Sequence, residues 1–153
     1  MTHNYQLELN WTGNLGKGTK SYRSYDRSYS ITIDGKEELH GSSDPHFRGD
    51  ASKYNPEEFF LMSLSSCHML WYLHLCSEAG IVVESYIDRA SGTMEEKANG
   101  SGRFTEVRLH PVVKINHPDQ MTKAIKLHKK ANEMCFITNS CNFPIHHDPK
   151  CTV

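Results

Sequence analysis

"YNPEEFFLMSLSSCHMLWYLHLC", residues 54–76, is the stretch whose reading decides the fold. Asn55 suits a helix N-cap, Pro56 the first helical position, and Glu58, three residues after Asn55, the acidic partner of a capping box. Gly80 can end the helix. The apolar residues between, from Phe59 and Phe60 to Leu73 and Leu75, surround most of the circumference, which is the pattern of a helix covered on nearly all sides. One domain of 153 residues can hardly wrap that rod alone, so a second copy of the chain is expected to help bury it.

Before this helix, Tyr5, Leu7, Leu9 and Trp11 alternate with polar residues, the period of a half-buried strand, and "GNLGKGT" turns the chain into a first hairpin. Tyr29, Ile31 and Ile33 alternate in the same way ahead of Asp34-Gly35, a favoured hairpin turn. Residues 41–54, rich in glycine, serine and aspartate, form the longest loop, a place where compact domains often carry function.

After the helix, "IVVESYIDRASGTME" and "RFTEVRLHPVVKIN" read as a long hairpin, with Val107, Leu109, Val113 and Ile115 on one face. "DQMTKAIKLHKKANEMC" then places Met121, Ile125, Leu127 or His128, Ala131 and Met134 at helical spacing, and its last turn delivers Cys135. The proline-punctuated tail reads as a short edge strand with a frayed end.

The net charge of -1, without a basic run or acidic tail, indicates neither nucleic acid nor a membrane surface as partner. The N-terminal stretch lacks the pattern of a signal peptide, and no segment reads as long and apolar enough to span a bilayer. A cytoplasmic location is expected by default. Five cysteines, at positions 67, 76, 135, 141 and 151, are an odd set for a disulfide framework and favour transient or catalytic use.

Cys67 lies beyond the helical turn where the dipole favours a thiolate, among apolar neighbours that raise a thiol's pKa, so alone it is inert packing. Three features change that reading. Arg48, in the long loop, offers a guanidinium to favour the thiolate and to bind a peroxidic oxygen. Glu57, in the first helical turn, can hold Arg48 through a bidentate pair; it lies roughly 15 Å from Cys67 along the helix, so a shared site takes Glu57 from a second chain. Cys135 is a second thiol able to trap an oxidised Cys67 as a disulfide.

"NPEEFFLMSLSSCHML" followed by "ANEMCFITNS" resembles the osmotically inducible protein C and organic hydroperoxide resistance (OsmC/Ohr) family of thiol peroxidases. The resemblance spans nearly the whole chain, 1–153, as one domain. It implies an α+β fold with antiparallel sheets wrapped around central helices in an intertwined homodimer. It further implies that Cys67 is the peroxidatic cysteine, Cys135 the resolving one, and Arg48 and Glu57 the pair that organises the site. The implied cycle reduces organic hydroperoxides, needs no bound cofactor, and is reset by a dithiol of the lipoyl type. Phe59, Phe60, Met69 and Trp71 would line an apolar substrate pocket or simply fill the core. Bulky residues replace the small ones common in the family near the first cysteine, and Cys76, Cys141 and Cys151 are extra; Cys76, rotated by ~180° from Cys67, reads as packing.

His68 cannot pair with Cys67, because adjacent helical residues point about 100° apart. Cys141 remains an alternative to Cys135 as resolving thiol. Two other functions compete. Cys141, His146, His147 and Cys151, with Cys135, are zinc-ligand types, though without the usual C-x2-4-C spacing. A noncatalytic dimer holding an apolar small molecule is the other, since fold alone does not confer activity.

Overall fold

A computed structural model describes all residues, Met1–Val153. The chain forms two compact units, Met1–Phe60 and Leu61–Val153, with the cysteine helix starting in the first and continuing in the second.

The first unit holds a three-stranded antiparallel sheet of β1 (Glu8–Trp11), β2 (Tyr29–Thr32) and β3 (Leu39–Gly41). Gly35 has φ 73° in the turn closed by Lys36 N–H donating to Ile33 O (3.0 Å), as Asp34-Gly35 predicts. Strand β1 pairs with β2 rather than with a hairpin partner directly after "GNLGKGT". Its expected half-buried face is also corrected: β1 is an edge strand of its sheet and all four of its residues are exposed.

Helix α1 (Pro56–Glu78) begins and ends as the sequence dictates. Asn55 N–H donates to Glu58 Oε2 (3.1 Å) and Glu58 N–H to Asn55 Oδ1 (2.9 Å), a reciprocal capping box. At the other end Gly80, at φ 71°, lets Gly80 N–H reach Ser77 O (3.1 Å) and Ile81 N–H reach Cys76 O (2.9 Å). That is a Schellman closure, with buried Ile81 packing in the same cluster as Cys76. Within the chain α1 buries one stripe, Leu64, His68, Tyr72 and Cys76, while Leu70 remains 63% exposed. The expectation that no segment suits a bilayer is corrected too: α1 is long and apolar enough to cross one, a test that the core helix of a folded domain also passes.

The predicted long hairpin is present, bent into two sheets. β4 (Val83–Asp88) pairs with β7 (Pro111–Ile115), and β5 (Ser91–Glu96) pairs with β6 (Gly102–Leu109). At the bend Asp88 accepts from His110 N–H (2.7 Å) through Oδ1 and from Ser65 Oγ on α1 (2.6 Å) through Oδ2. Val107, Leu109, Val113 and Ile115 are all fully buried, as their alternation predicts. Each such side chain contributes roughly 1.5–3 kcal/mol.

The tail supplies two edge strands rather than one. β8 (Ile145–His147) adds parallel to β6 and β9 (Lys150–Thr152) parallel to β7. Helix α2 (Met121–Met134) buries Ala124, His128 and Ala131. Ile125, expected on that face, is 41% exposed, and His128 rather than Leu127 is the fully buried choice. The small Ala124 and Ala131 let α2 lie close to the core, which turns Ile125 outward.

Candidate functional site

Two segments of the second unit meet at Cys67, the middle of α1 and the chain that leaves α2. Cys135 ends α2, is completely buried, and has φ -67°, ψ 114°, so the helix stops there. The following residues wind into a 3-10 turn, Thr138–Ser140. Asn139 N–H donates to Cys135 O (3.0 Å), Asn139 Nδ2 to Glu133 O (3.0 Å) and Ser140 Oγ to Phe136 O (2.9 Å). These bonds hold "CFITNSC", residues 135–141, in a tight coil with its amides turned toward sulfur.

Burial is the largest influence on Cys67 and pushes its thiol up; the hydrogen-bonding Cys135 thiol adds to the rise. Main-chain N–H groups of Ile137 and Phe136 act the other way, donating to the sulfur and favouring a thiolate. Thr138 N–H donates to Cys135 Sγ (3.4 Å). Three successive amides thus serve two thiols, an arrangement suited to charge on sulfur. The sequence indicated the two cysteines but not these amides, since any residue type supplies an N–H. All five cysteines are free thiols.

Trp71, one turn after Cys67 on α1, meets the Phe136 ring edge-on with centroids 5.7 Å apart. Phe136 is 67% exposed and was not singled out by the sequence pattern. Trp71 is half-buried and also packs against the core. Met69, two residues from Cys67, is rotated by about 200° and faces away from it.

The remaining predicted residues lie in the first unit. Arg48 is exposed and follows the 3-10 turn Pro45–Phe47 in a left-handed conformation, φ 66°, the single non-glycine residue with positive φ. Such a residue is held by its surroundings. Gly49 next to it admits no side chain, since a Cβ would fall 1.5 Å from Ser43 O. Glu57 is half-buried and raises the pKa of Tyr29, behind the larger effect of burial. No ion pair within the chain joins Arg48 to Glu57. Phe59 rests against Tyr54 (5.8 Å between centroids), and Phe60 is half-buried.

His68 faces away from Cys67, as the helical rotation requires. Its Nε2 lies 3.0 Å from Nδ1 of His128, with both rings buried. Cys141, His146, His147, Cys151 and Cys135 do not converge, and no group of three or more such side chains is arranged to hold a metal ion.

The sequence model described as OsmC-like protein matches residues 49–150. The chain belongs to the OsmC-like family. No curated protein matches it. Among solved structures, an OsmC-like protein of unknown function from Vibrio cholerae is 27% identical, with a TM-score of 0.86 over 97% of this chain and 99% of the other. An OsmC-like protein from Mycoplasma pneumoniae aligns over 100% of both chains at 13% identity and a TM-score of 0.73. An organic hydroperoxide resistance protein from Elizabethkingia anophelis, solved with thiocyanate bound, aligns over 99% of both at 19% identity and a TM-score of 0.68. This OsmC-like chain therefore has the α+β fold that its sequence resembled.

Proposed function

We propose that this OsmC-like protein is a cysteine-based peroxidase for organic hydroperoxides. The observation that carries the reading is the placement of the Cys67 and Cys135 thiols against each other, with the amides of Phe136 and Ile137 donating to Cys67. Membership in the OsmC-like family, and the organic hydroperoxide resistance protein among its structural relatives, support a peroxide-related redox role.

The Cys67 thiolate attacks the distal oxygen of the hydroperoxide; the O–O bond breaks, and the alkoxide takes a proton and leaves as alcohol. Cys67 is now a sulfenic acid. The Cys135 thiolate attacks its sulfur, hydroxide leaves and is protonated to water, and a Cys67–Cys135 disulfide results. A dithiol, which we take to be lipoyl-type, reduces that disulfide and is itself oxidised. Because burial raises the Cys67 thiol, a cation at the site is needed as well as the amides. Arg48, positioned by Glu57 within a homodimer of this single domain, fills that role. The apolar side chains on α1 that a single chain leaves exposed are buried by the partner. The reducing, cytoplasmic setting keeps the extra cysteines as thiols.

Adding one equivalent of cumene hydroperoxide to reduced protein tests this, with disulfides mapped by peptide mass spectrometry. Loss of two thiols and a Cys67–Cys135 link is the expected result, abolished in Cys67→Ser. Thiols that survive unchanged would return Cys67 to packing and favour the noncatalytic dimer.

A further inference from the structure

Arg48 takes its left-handed conformation between two peptide groups that are each tied down. At the peptide before it, the Phe47 carbonyl accepts from two hydroxyls, Ser43 Oγ (3.2 Å) and Tyr22 OH (3.3 Å), as the two lone pairs of a carbonyl oxygen allow. The N–H of that same peptide, on Arg48, donates to Pro45 O (3.0 Å). At the peptide after it, Gly49 N–H donates to Asp44 O (3.0 Å). Peptide groups are planar, so fixing the planes on either side of a residue fixes its φ and ψ, here 66° and 28°. A residue with a Cβ does not settle there unaided, because the left-handed region costs it more than the right-handed one.

The other ties are local, within residues 43–49, whereas Tyr22 reaches in from 25 residues before Phe47. Arg27 in turn sets Tyr22. Its guanidinium lies 4.3 Å from the centroid of the Tyr22 ring and 4.2 Å from that of Tyr25, and it donates to the carbonyls of both residues (2.6 Å each). Ring and main chain of Tyr22 are thus held together, which gives the hydroxyl a fixed aim although the residue is 57% exposed.

We infer that Tyr22 is a positioning residue for Arg48: with Ser43 it pins the Phe47–Arg48 peptide and so sets the direction in which the arginine side chain leaves the loop. For its effect on Cys67 this role rests on the thiol peroxidase reading, in which Arg48 supplies the cation. Direction matters to a guanidinium more than to a point charge, since its donors lie in a planar fork. With the peptide free to turn, Arg48 relaxes toward right-handed backbone and the fork loses its aim.

Tyr22→Phe keeps the ring on Arg27 and removes only the hydroxyl, and Ser43→Ala removes the second donor. These two, their double variant and Arg48→Ala are compared with the wild type. The φ of Arg48 is read by NMR from its HN–Hα coupling and its Cα and Cβ shifts. Thiolate formation at Cys67 is read from its iodoacetamide alkylation rate against pH, followed by peptide mass spectrometry, with kcat/KM for cumene hydroperoxide alongside. Each hydroxyl variant should move Arg48 away from positive φ, shift the Cys67 alkylation profile to higher pH as Arg48→Ala does, and lower kcat/KM several-fold. Combined with Arg48→Ala, Tyr22→Phe should lower kcat/KM no further. An Arg48 φ that stays positive in the double variant overturns the positioning role. So does an alkylation profile that stays put while φ changes, or a Tyr22→Phe loss equally large without the Arg48 side chain. An Arg48→Ala protein that behaves as wild type overturns the role given to Arg48, and that of Tyr22 with it. Peroxide that consumes no thiol in the wild type overturns the peroxidase reading instead, and the NMR result then decides the backbone role by itself.

Discussion

The Nε2 of His68 and the Nδ1 of His128 stand 3.0 Å apart, linking α1 to α2 by one hydrogen bond between two buried imidazoles. One ring must donate and the other accept, so the contact excludes a doubly protonated pair, and burial disfavours charge on either ring. The Tyr72 ring stacks on His128 with centroids 3.8 Å apart, and His147 lies 5.6 Å from His68.

Acid should therefore loosen this pair. Burial, with the nearby His147 next, holds His68 down at about 4, and burial, with His68 next, holds His128 at about 3. In the unfolded chain both titrate near 6.5. Between those values the unfolded state binds more protons, so the stability is complete above about pH 6.5 and is lost as the pH falls toward 4 and then 3. The loss at pH 5 should be on the order of a few kcal/mol for the pair. Urea midpoints at pH 7.5 and pH 5 measure it, and a midpoint that does not move contradicts a neutral buried pair.

Both ends of α1 can be weakened without touching the cysteines. Asn55→Ala removes the acceptor for Glu58 N–H and should cost about 1 kcal/mol. Gly80→Ala forces a side chain into a left-handed conformation and should cost about 1–2 kcal/mol. Losses of that size in urea denaturation, with peroxide consumption retained at low denaturant, would place these residues in folding alone.

Phe136 offers a separation of substrate preference from stability. Its ring is mostly exposed and touches Trp71 edge-on, so Phe136→Ala should lower stability by no more than about 1 kcal/mol. If the ring guides an apolar substrate to Cys67, kcat/KM for cumene hydroperoxide should fall several-fold while that for hydrogen peroxide barely changes. Equal losses for both peroxides would assign Phe136 to holding the 135–141 coil.

Asp88 joins the hairpin bend to α1. Asp88→Ala leaves His110 N–H and Ser65 Oγ without their acceptor, at a cost of about 2–3 kcal/mol. Asp88→Asn keeps one acceptor oxygen and should lose less. Thermal unfolding of the two variants gives the order directly.

What could be read from the sequence was set by local chemistry. The capping box at Asn55 and Glu58, the glycine exit at Gly80 and the alternation of Val107, Leu109, Val113 and Ile115 each act within a few residues, and each stands where it was expected. The bend at Asp88 and the parallel docking of Ile145–His147 on β6 depend on pairings across the chain, which no local period reveals. Tyr5 to Trp11 misled because alternation states which face is apolar, not whether the same chain covers it. At the site, Cys67 and Cys135 were legible as thiols on two helices. The amides of Phe136 and Ile137 were not, because main chain has no sequence signature.

Asp88 has a further consequence. Ser65, which it holds, lies two residues before Cys67 on α1, while His110, which it also holds, lies between the two sheets. A single carboxylate thus fixes the angular setting of the cysteine helix relative to the scaffold, much as an index pin fixes a dial. A redesign that sought to re-aim the Cys67 sulfur toward a larger substrate would leave the cysteine alone and shift the pin.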